Sequence, residues 1–143
     1  MRFDVTTDRS RIDFDLVYRF INGQSAWARG IPRALFDKAM KNSLCFGGLL
    51  GGEQIAFARV ISDYATFANL VDVFTVPEFR GMGYASALLT GVFGHADLQG
   101  LRRFTLATFD AHSLYAKFGF HSPAMPDTLM ERYDPEIYGR DRA

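Results

Sequence analysis

The 143-residue sequence has little cysteine, no excess of either charge and no long apolar run. Its single cysteine, Cys45, excludes a disulfide within the chain and a metal site built from cysteines. Basic and acidic residues number 16 each, so we expect no strongly basic surface and no nucleic-acid partner. No segment of about 18 apolar residues could cross a membrane, and the N-terminus carries no apolar signal region. We therefore expect a cytoplasmic protein without a membrane partner.

Histidine is also scarce, and its placement argues against a metal centre. His95, His112 and His121 are scattered along the chain, with no pairing at the spacing of zinc or iron ligands. We therefore expect no metal. A chain of this length most simply forms one domain. Because no repeat or shift in composition divides it, residues 1–143 are predicted to be a single domain.

The first half of the chain shows strand and helix patterns of an α/β protein. A short edge strand over residues 3–6 precedes two amphipathic helices, the first capped by Asp13 and the second beginning at Pro32. Strands on either side of Gly51-Gly52 form a hairpin. A third strand over residues 65–76 extends the hairpin into an antiparallel meander.

The second half alternates helices and strands. A helix over residues 84–94 leads into a strand over 103–108, which we expect to lie parallel to the last meander strand through a right-handed crossover. Asp110 is placed to cap a short helix. Phe120 is predicted to begin another strand, and residues 129–133 a last edge strand. This order predicts a mixed, mostly antiparallel sheet with helices on both faces.

The most informative segment is the glycine-rich turn between the meander and the next helix. Gly81 and Gly83 flank one residue, so backbone N–H groups can approach a ligand with no Cβ in the way. The helix start adds unpaired donors and the positive end of its dipole, which suits a phosphate-like anion. Tyr84 stands where a Walker A loop needs lysine, and Ser86 where a dinucleotide-binding turn needs glycine. The pyrophosphate of coenzyme A is the remaining candidate.

Two segments resemble the signatures of the GNAT family of N-acetyltransferases. Arg80–Ala85 is similar to its Arg/Gln-x-x-Gly-x-Gly/Ala motif, and Asp110–Phe120 is similar to a second motif that centres on Leu-Tyr. The resemblance covers nearly the whole chain and implies the GNAT fold. It also implies an enzyme that moves an acetyl group from acetyl-CoA to a primary amine of a small molecule or peptide, by direct attack in a ternary complex.

The resemblance further implies a set of contacts to coenzyme A. The turn would hold the pyrophosphate, the end of the preceding strand would pair with the pantetheine arm, and the second motif would lie near the cosubstrate. The residues concerned are Phe74, Thr75, Val76, Arg80, Gly81, Met82, Gly83, Tyr84, Ala85, Asp110 and Lys117. The family commonly has asparagine at the position of Asp110, so a purely helix-capping role is the alternative there. For Lys117, a place on the solvated face of its helix is the alternative to a phosphate contact.

Tyr115 and Asp72 are the predicted catalytic residues. Tyr115 matches the tyrosine of the second motif, and the resemblance implies that its phenol donates a proton to the departing thiolate. Asp72 lies in an apolar strand, where alternation places it on one face with Leu70 and Phe74. A carboxylate there could accept the proton of the amine through water. A structural aspartate bonded to a partner residue is the alternative.

Two connecting segments are the candidates for acceptor recognition. The loop after the first helix carries Trp27 and Arg29, and the turn before the third meander strand carries Asp63 and Tyr64. Trp27 either closes the acceptor pocket or packs under its loop. Arg29 is expected to pair with an acceptor carboxylate, which favours an amino acid or a peptide. The alternative function is a non-catalytic acyl-CoA sensor or regulatory module, and the resemblance also allows a homodimer.

Overall fold

The computed structural model describes residues 1–139, so the last four residues of the predicted domain, 140–143, lie outside the described chain. The described strands form one five-stranded sheet whose spatial order follows the sequence. They are β1 (Phe3–Thr6), β2 (Leu44–Leu50), β3 (Glu53–Ser62), β4 (Phe67–Thr75) and β5 (Arg103–Leu106). Neighbours from β1 to β4 are antiparallel, and β5 is parallel to β4. The mixed, mostly antiparallel sheet is confirmed.

Helices cover both faces of the sheet, as predicted. The α-helices of the described residues are α1 (Phe14–Gly23), α2 (Arg33–Lys41), α3 (Tyr84–Phe93) and α4 (His112–Ala116). Adjacent residues of β3 contribute to different cores: Phe57 packs with α1 and α2, whereas Ala56 and Ala58 pack with α3 and Tyr115 of α4. Strand alternation produces this division. No helix within residues 1–139 is long and apolar enough to span a membrane.

The sequence predicts two helix caps, and the structure confirms one of them. The Asp13 side chain accepts a 3.0 Å hydrogen bond from the backbone N–H of Leu16, so the predicted cap of α1 is confirmed. The predicted cap of α4 is wrong. Ala111 precedes that helix, and its N–H donates to the hydroxyl oxygen of Thr108. Asp110 is exposed and lies one residue before the N-cap position, which Ala111 occupies, and no side chain caps α4.

β4 contains one residue more than its partner, and this bulge breaks the predicted alternation. Phe57 pairs with Phe74 and Arg59 with Val71, so Asp72 and Val73 together face one residue of β3. Asp72 has a φ of +55°, in the left-handed region that aspartate tolerates better than most residues. Leu70 therefore packs on the α3–α4 side and Phe74 on the α1–α2 side. Asp72 lines a cavity on the α1–α2 side, so the prediction that it shares a face with Phe74 is confirmed and the prediction that it shares a face with Leu70 is wrong.

The segment after α4 contains no strand within the described residues. The strands predicted from Phe120 and over 129–133 are therefore wrong. Phe120 is used for packing: its ring centroid lies 5.2 Å from that of Phe93. Pro123 and Pro126 lack the backbone N–H that a sheet ladder requires. The sheet consequently ends at β5 in the described chain.

The contact between α3 and β1 generates a stability prediction. A Cβ added at Gly91 would lie 2.8 to 3.0 Å from side-chain atoms of Val5. Although alanine favours a helix interior by about 1 kcal/mol over glycine, overpacking costs about 1–3 kcal/mol. We expect Gly91→Ala to lower the free energy of unfolding by about 1 kcal/mol in urea titrations.

Gly23→Ala is the matched control for this substitution. Gly23 is also helical, but a Cβ added there meets no atom within 4 Å. We expect this control to be neutral or slightly stabilising, and Val5→Ala to rescue Gly91→Ala partly. Equal stability of the two glycine variants would show that α3 does not press against β1 at this point.

Candidate active site

The predicted glycine turn joins β4 to α3. Gly81 and Gly83 have φ values of +77° and +86°, in the left-handed region that favours glycine. Gly83 directly precedes α3 and supplies no side-chain cap. Arg80 folds back, so that its Nε donates a 3.0 Å hydrogen bond to the carbonyl oxygen of Thr75. This bond ties the turn to the end of β4.

The turn presents a run of free backbone donors. The N–H groups of residues 81–86 have no acceptor within the described chain, and the first bond of α3 runs from Ala87 to the carbonyl of Gly83. Added Cβ atoms at Gly81 and Gly83 would meet nothing within 4 Å, so this side of the turn is open. Free amides at a helix start carry partial positive charge. The residues present therefore fit a diphosphate.

β4 and β5 separate beside this turn. Their parallel ladder ends where Leu70 pairs with Leu106, whereas β4 continues to Thr75 with β3 alone as its partner. The backbone of residues 71–75 thus has one open edge. An extended chain with amide groups can pair with such an edge as an added strand does. Phe74 and Thr75, two of the predicted pantetheine contacts, lie in this stretch, and Val76 follows it.

Tyr115 lies in α4 next to the end of β5. It is 8% exposed, and its ring packs edge-on against Phe120. Burial raises the pKa of this phenol above its usual value, so the hydroxyl stays protonated at neutral pH. Tyr115 lines a cavity of about 1140 Å³ together with residues 104–108. Its hydroxyl has no hydrogen-bond partner within residues 1–139, so the proton can be donated to a ligand in this cavity.

Asp72 is held between a loop and a neighbouring strand. Its Oδ1 accepts a 2.7 Å hydrogen bond from the indole N–H of Trp27, and its Oδ2 accepts a 2.7 Å bond from Nε of Arg59. Arg59 also donates to the hydroxyl oxygen of Ser43. The structure thus brings Trp27 and Asp72 together and gives Asp72 a structural partner. Its role as the base stays a prediction.

The other predicted acceptor residues lie apart from Asp72. Asp63 accepts hydrogen bonds from the Thr66 hydroxyl and from backbone N–H groups of its own turn, which lower its pKa far below the usual carboxyl range. Tyr64 is exposed in the same turn. This turn lies at the opposite end of β4, roughly 17 Å from Asp72 at the usual rise per strand residue. Arg29 is exposed, and no ion pair holds it within residues 1–139.

The remaining predicted contacts to coenzyme A are exposed or partly buried. Met82 is exposed in the turn, and Tyr84 and Ala85 form the first residues of α3. Asp110 and Lys117 are exposed at the two ends of α4. Their contacts to coenzyme A stay predictions. Among the described residues, no group of three or more histidine, cysteine, aspartate or glutamate side chains is arranged to hold a metal.

Sequence reasoning missed Arg59 and Tyr138. Arg59 is a charged residue in an apolar strand, and such a residue needs a countercharge when it is buried. The sequence signal for this pairing was Asp72, which is likewise the one acidic residue in an apolar stretch of the next strand. Tyr138 packs half-buried against the core of α1 and α2. No local pattern indicates this contact, because it depends on the path of the irregular C-terminal segment.

Comparisons with known proteins agree with this geometry. The family model of the GNAT acetyltransferases matches residues 14–120. A curated protein of Gibberella zeae, provisionally named an acetyltransferase, is 30% identical over 135 residues, and the match covers 79% of this chain and 75% of that protein. A solved structure of a GNAT-family protein from Xanthomonas campestris pv. campestris is 55% identical, with a TM-score of 0.93 over 98% of this chain and 99% of that one.

A more distant structure agrees in fold alone. Glucosamine-6-phosphate N-acetyltransferase from Arabidopsis thaliana is 14% identical, with a TM-score of 0.62 over 93% of this chain and 99% of that one. The family model spans most of the chain, and its matched region includes the glycine turn, the opening between β4 and β5, and Tyr115. The chain therefore belongs to the GNAT family of acetyltransferases.

Proposed function

We propose that this protein transfers an acetyl group from acetyl-CoA to a primary amine of a small molecule or peptide, by direct attack in a ternary complex. The observation that carries the proposal is the run of free backbone N–H groups over residues 81–86 beside the open edge of β4. The amides match the pyrophosphate of coenzyme A, and the strand edge matches the amides of its pantetheine arm. Family membership supports the same cosubstrate.

The proposed reaction needs little covalent chemistry from the protein. The substrate ammonium first loses a proton through water to Asp72, and its nitrogen then attacks the thioester carbonyl carbon. A C–N bond forms, the C–S bond breaks and the nitrogen releases its second proton to water. The departing thiolate takes the phenolic proton of Tyr115, which solvent restores. Holding both reactants in place supplies several kcal/mol of the rate enhancement.

An amine panel tests the proposal. The protein is mixed with acetyl-CoA and single primary amines, namely amino acids, short peptides and polyamines, and free thiol is followed over time. We expect thiol release that depends on both the protein and an amine, with the acetylated amine identified by mass spectrometry. Tight binding of acetyl-CoA without release for any amine would instead support an acyl-CoA sensor. Absence of acetyl-CoA binding would contradict both functions.

Tyr115→Phe tests the proton donor. The substitution keeps the buried ring but removes the hydroxyl, so the thiolate departs without a proton. Loss of a positioned acid costs at least roughly 100-fold in rate. We expect kcat to fall by about this factor while KM for acetyl-CoA changes less than about twofold. Tyr133→Phe is the control, because Tyr133 is 71% exposed. Unchanged kcat in Tyr115→Phe would remove the phenol from the mechanism.

Gly83→Ala tests the amide cradle. A Cβ at a left-handed φ strains the backbone by about 1 kcal/mol or more, and relaxation of this strain rotates the amides of the turn. We expect the Kd of coenzyme A, measured by calorimetric titration, to rise at least fivefold.

Gly100→Ala is the matched control for the cradle. Gly100 also has a positive φ, of +72°, and open space around it, but it lies in the connection before β5. Both variants should lose similar stability, and only Gly83→Ala should lose affinity. Equal Kd values for the two variants would mean that the turn does not bind the cosubstrate.

A further inference from the structure

A cavity of about 500 Å³ lies on the α1–α2 side of the sheet. This volume is within the range of roughly 300–1,000 Å³ that small-molecule sites occupy. Its apolar walls come from α1, α2 and the loop between them. They consist of Ile21, Ala28, Ile31, Leu35, Phe36, Ala39 and Met40. Lys38, Asn42 and Tyr138 also line the cavity, Tyr138 from the C-terminal segment. The cavity therefore suits a small molecule with an apolar part.

The ion pair of Arg59 and Asp72 lines the same cavity. The two side chains are only 15% and 7% exposed, and burial of two charges is costly unless their remaining hydrogen-bonding capacity is used. A guanidinium has five N–H donors. Two of these bind Asp72 and Ser43, and the other three have no acceptor within residues 1–139. The cavity is thus lined by unused donors.

Asp72 offers the complementary acceptors. Each of its carboxylate oxygens accepts one hydrogen bond, from Trp27 or from Arg59, and a carboxylate oxygen can accept two. Unused acceptors and unused guanidinium donors therefore lie side by side. An α-amino acid carries an ammonium and a carboxylate on one carbon, which matches such a pair. Its side chain could then occupy the apolar part of the cavity.

We propose that this cavity binds the acceptor of the acetyl group, and that the acceptor is an α-amino acid with an apolar side chain. Its ammonium binds the carboxylate of Asp72, its carboxylate binds the free N–H groups of Arg59, and its side chain lies between α1 and α2. This inference rests on the proposed function. It places the acceptor carboxylate on Arg59 and not on the exposed Arg29.

The charge of the lining also separates amino acids from simple amines. Lys38 and Arg59 contribute two positive charges and Asp72 one negative charge, which leaves one excess positive charge. A simple ammonium therefore meets net repulsion, whereas the carboxylate of an amino acid neutralises the excess. A second carboxylate on the side chain would have to enter apolar walls, so acidic amino acids are disfavoured.

The position of Asp72 connects this cavity to the acetyl donor. Asp72 lies at the bulge where β4 departs from β5, and Thr75, three residues further along β4, lies roughly 10 Å away along the strand. An ammonium bound to Asp72 is therefore on the strand that the pantetheine arm follows in the proposed function. The cavity can thus deliver the amine to the thioester while its apolar walls hold the side chain.

A set of related acceptors tests the inference without any mutation. Leucine, leucinamide, isopentylamine and glutamate are compared by thiol release with acetyl-CoA. We expect kcat/KM for leucine to exceed that for each of the other three at least tenfold. Leucinamide and isopentylamine lack the carboxylate that Arg59 would bind, and glutamate would place a second carboxylate against apolar walls. Transfer to leucinamide and isopentylamine, which lack the carboxylate, at equal or higher efficiency would overturn the inference and leave the proposed function intact. Transfer to no amine would count against the proposed function.

Arg59→Lys tests whether Arg59 recognises the carboxylate of the acceptor. Lysine keeps the charge but not the fork of donors. We expect KM for leucine to rise at least tenfold, KM for acetyl-CoA to change less than about twofold, and the preference for leucine over leucinamide to shrink. Arg33→Lys is the control, because Arg33 also binds carboxylates, Asp15 and Asp37, but on the exposed surface of α2.

A binding measurement distinguishes recognition of the amino acid from catalysis of the transfer. Calorimetric titration of leucine into the wild-type protein and both variants in the presence of coenzyme A should show weakened binding for Arg59→Lys alone. This readout does not depend on turnover, so it tests the cavity even if no amine is acetylated. A merely structural ion pair would lower the stability of Arg59→Lys while its discrimination between leucine and leucinamide stayed unchanged, and that result would overturn the inference.

Discussion

The arrangement of the whole site depends on the extra residue in β4 at Asp72. The bulge lies just beyond the residue at which the ladder between β4 and β5 ends, so the open edge of β4 begins beside it. The carboxylate of Asp72 accepts hydrogen bonds from Trp27, in the loop after α1, and from Arg59 of β3. One residue thus lies where the strands separate, holds the loop after α1 and lines the cavity for the proposed acceptor.

The left-handed backbone conformation of Asp72 costs free energy, and contacts with neighbouring residues maintain it. A left-handed φ at a residue other than glycine costs about 1–3 kcal/mol and persists only where neighbouring contacts determine it. The buried partner charge of Arg59 and the indole N–H of Trp27 supply those contacts. The two left-handed glycines in the turn before α3 are a second local cost, and they leave its amides open to an anion. A strained residue and a run of unpaired backbone amides thus lie at the candidate site.

The sequence revealed what is encoded locally. The glycine turn, the cap at Asp13 and the hairpin at Gly51-Gly52 are short-range signals, and the structure contains all three. The bulge could not be predicted, because strict alternation was the only register rule available for β4. Pairing of Arg59 with Asp72 is a contact between strands, and Asp110 misses the cap of α4 because the helix begins one residue later than such a cap requires. Long-range geometry therefore determined what sequence reasoning missed.

A crystal structure of the protein with bound acetyl-CoA tests the proposed site most directly. We expect pyrophosphate oxygens within hydrogen-bond distance of the N–H groups of residues 81–86. We also expect pantetheine amides paired with the edge of β4 beyond Leu70, and the thioester sulfur beside the hydroxyl of Tyr115. A cosubstrate bound elsewhere, with the amides of the turn still free and the edge of β4 unpaired, would contradict the proposed site.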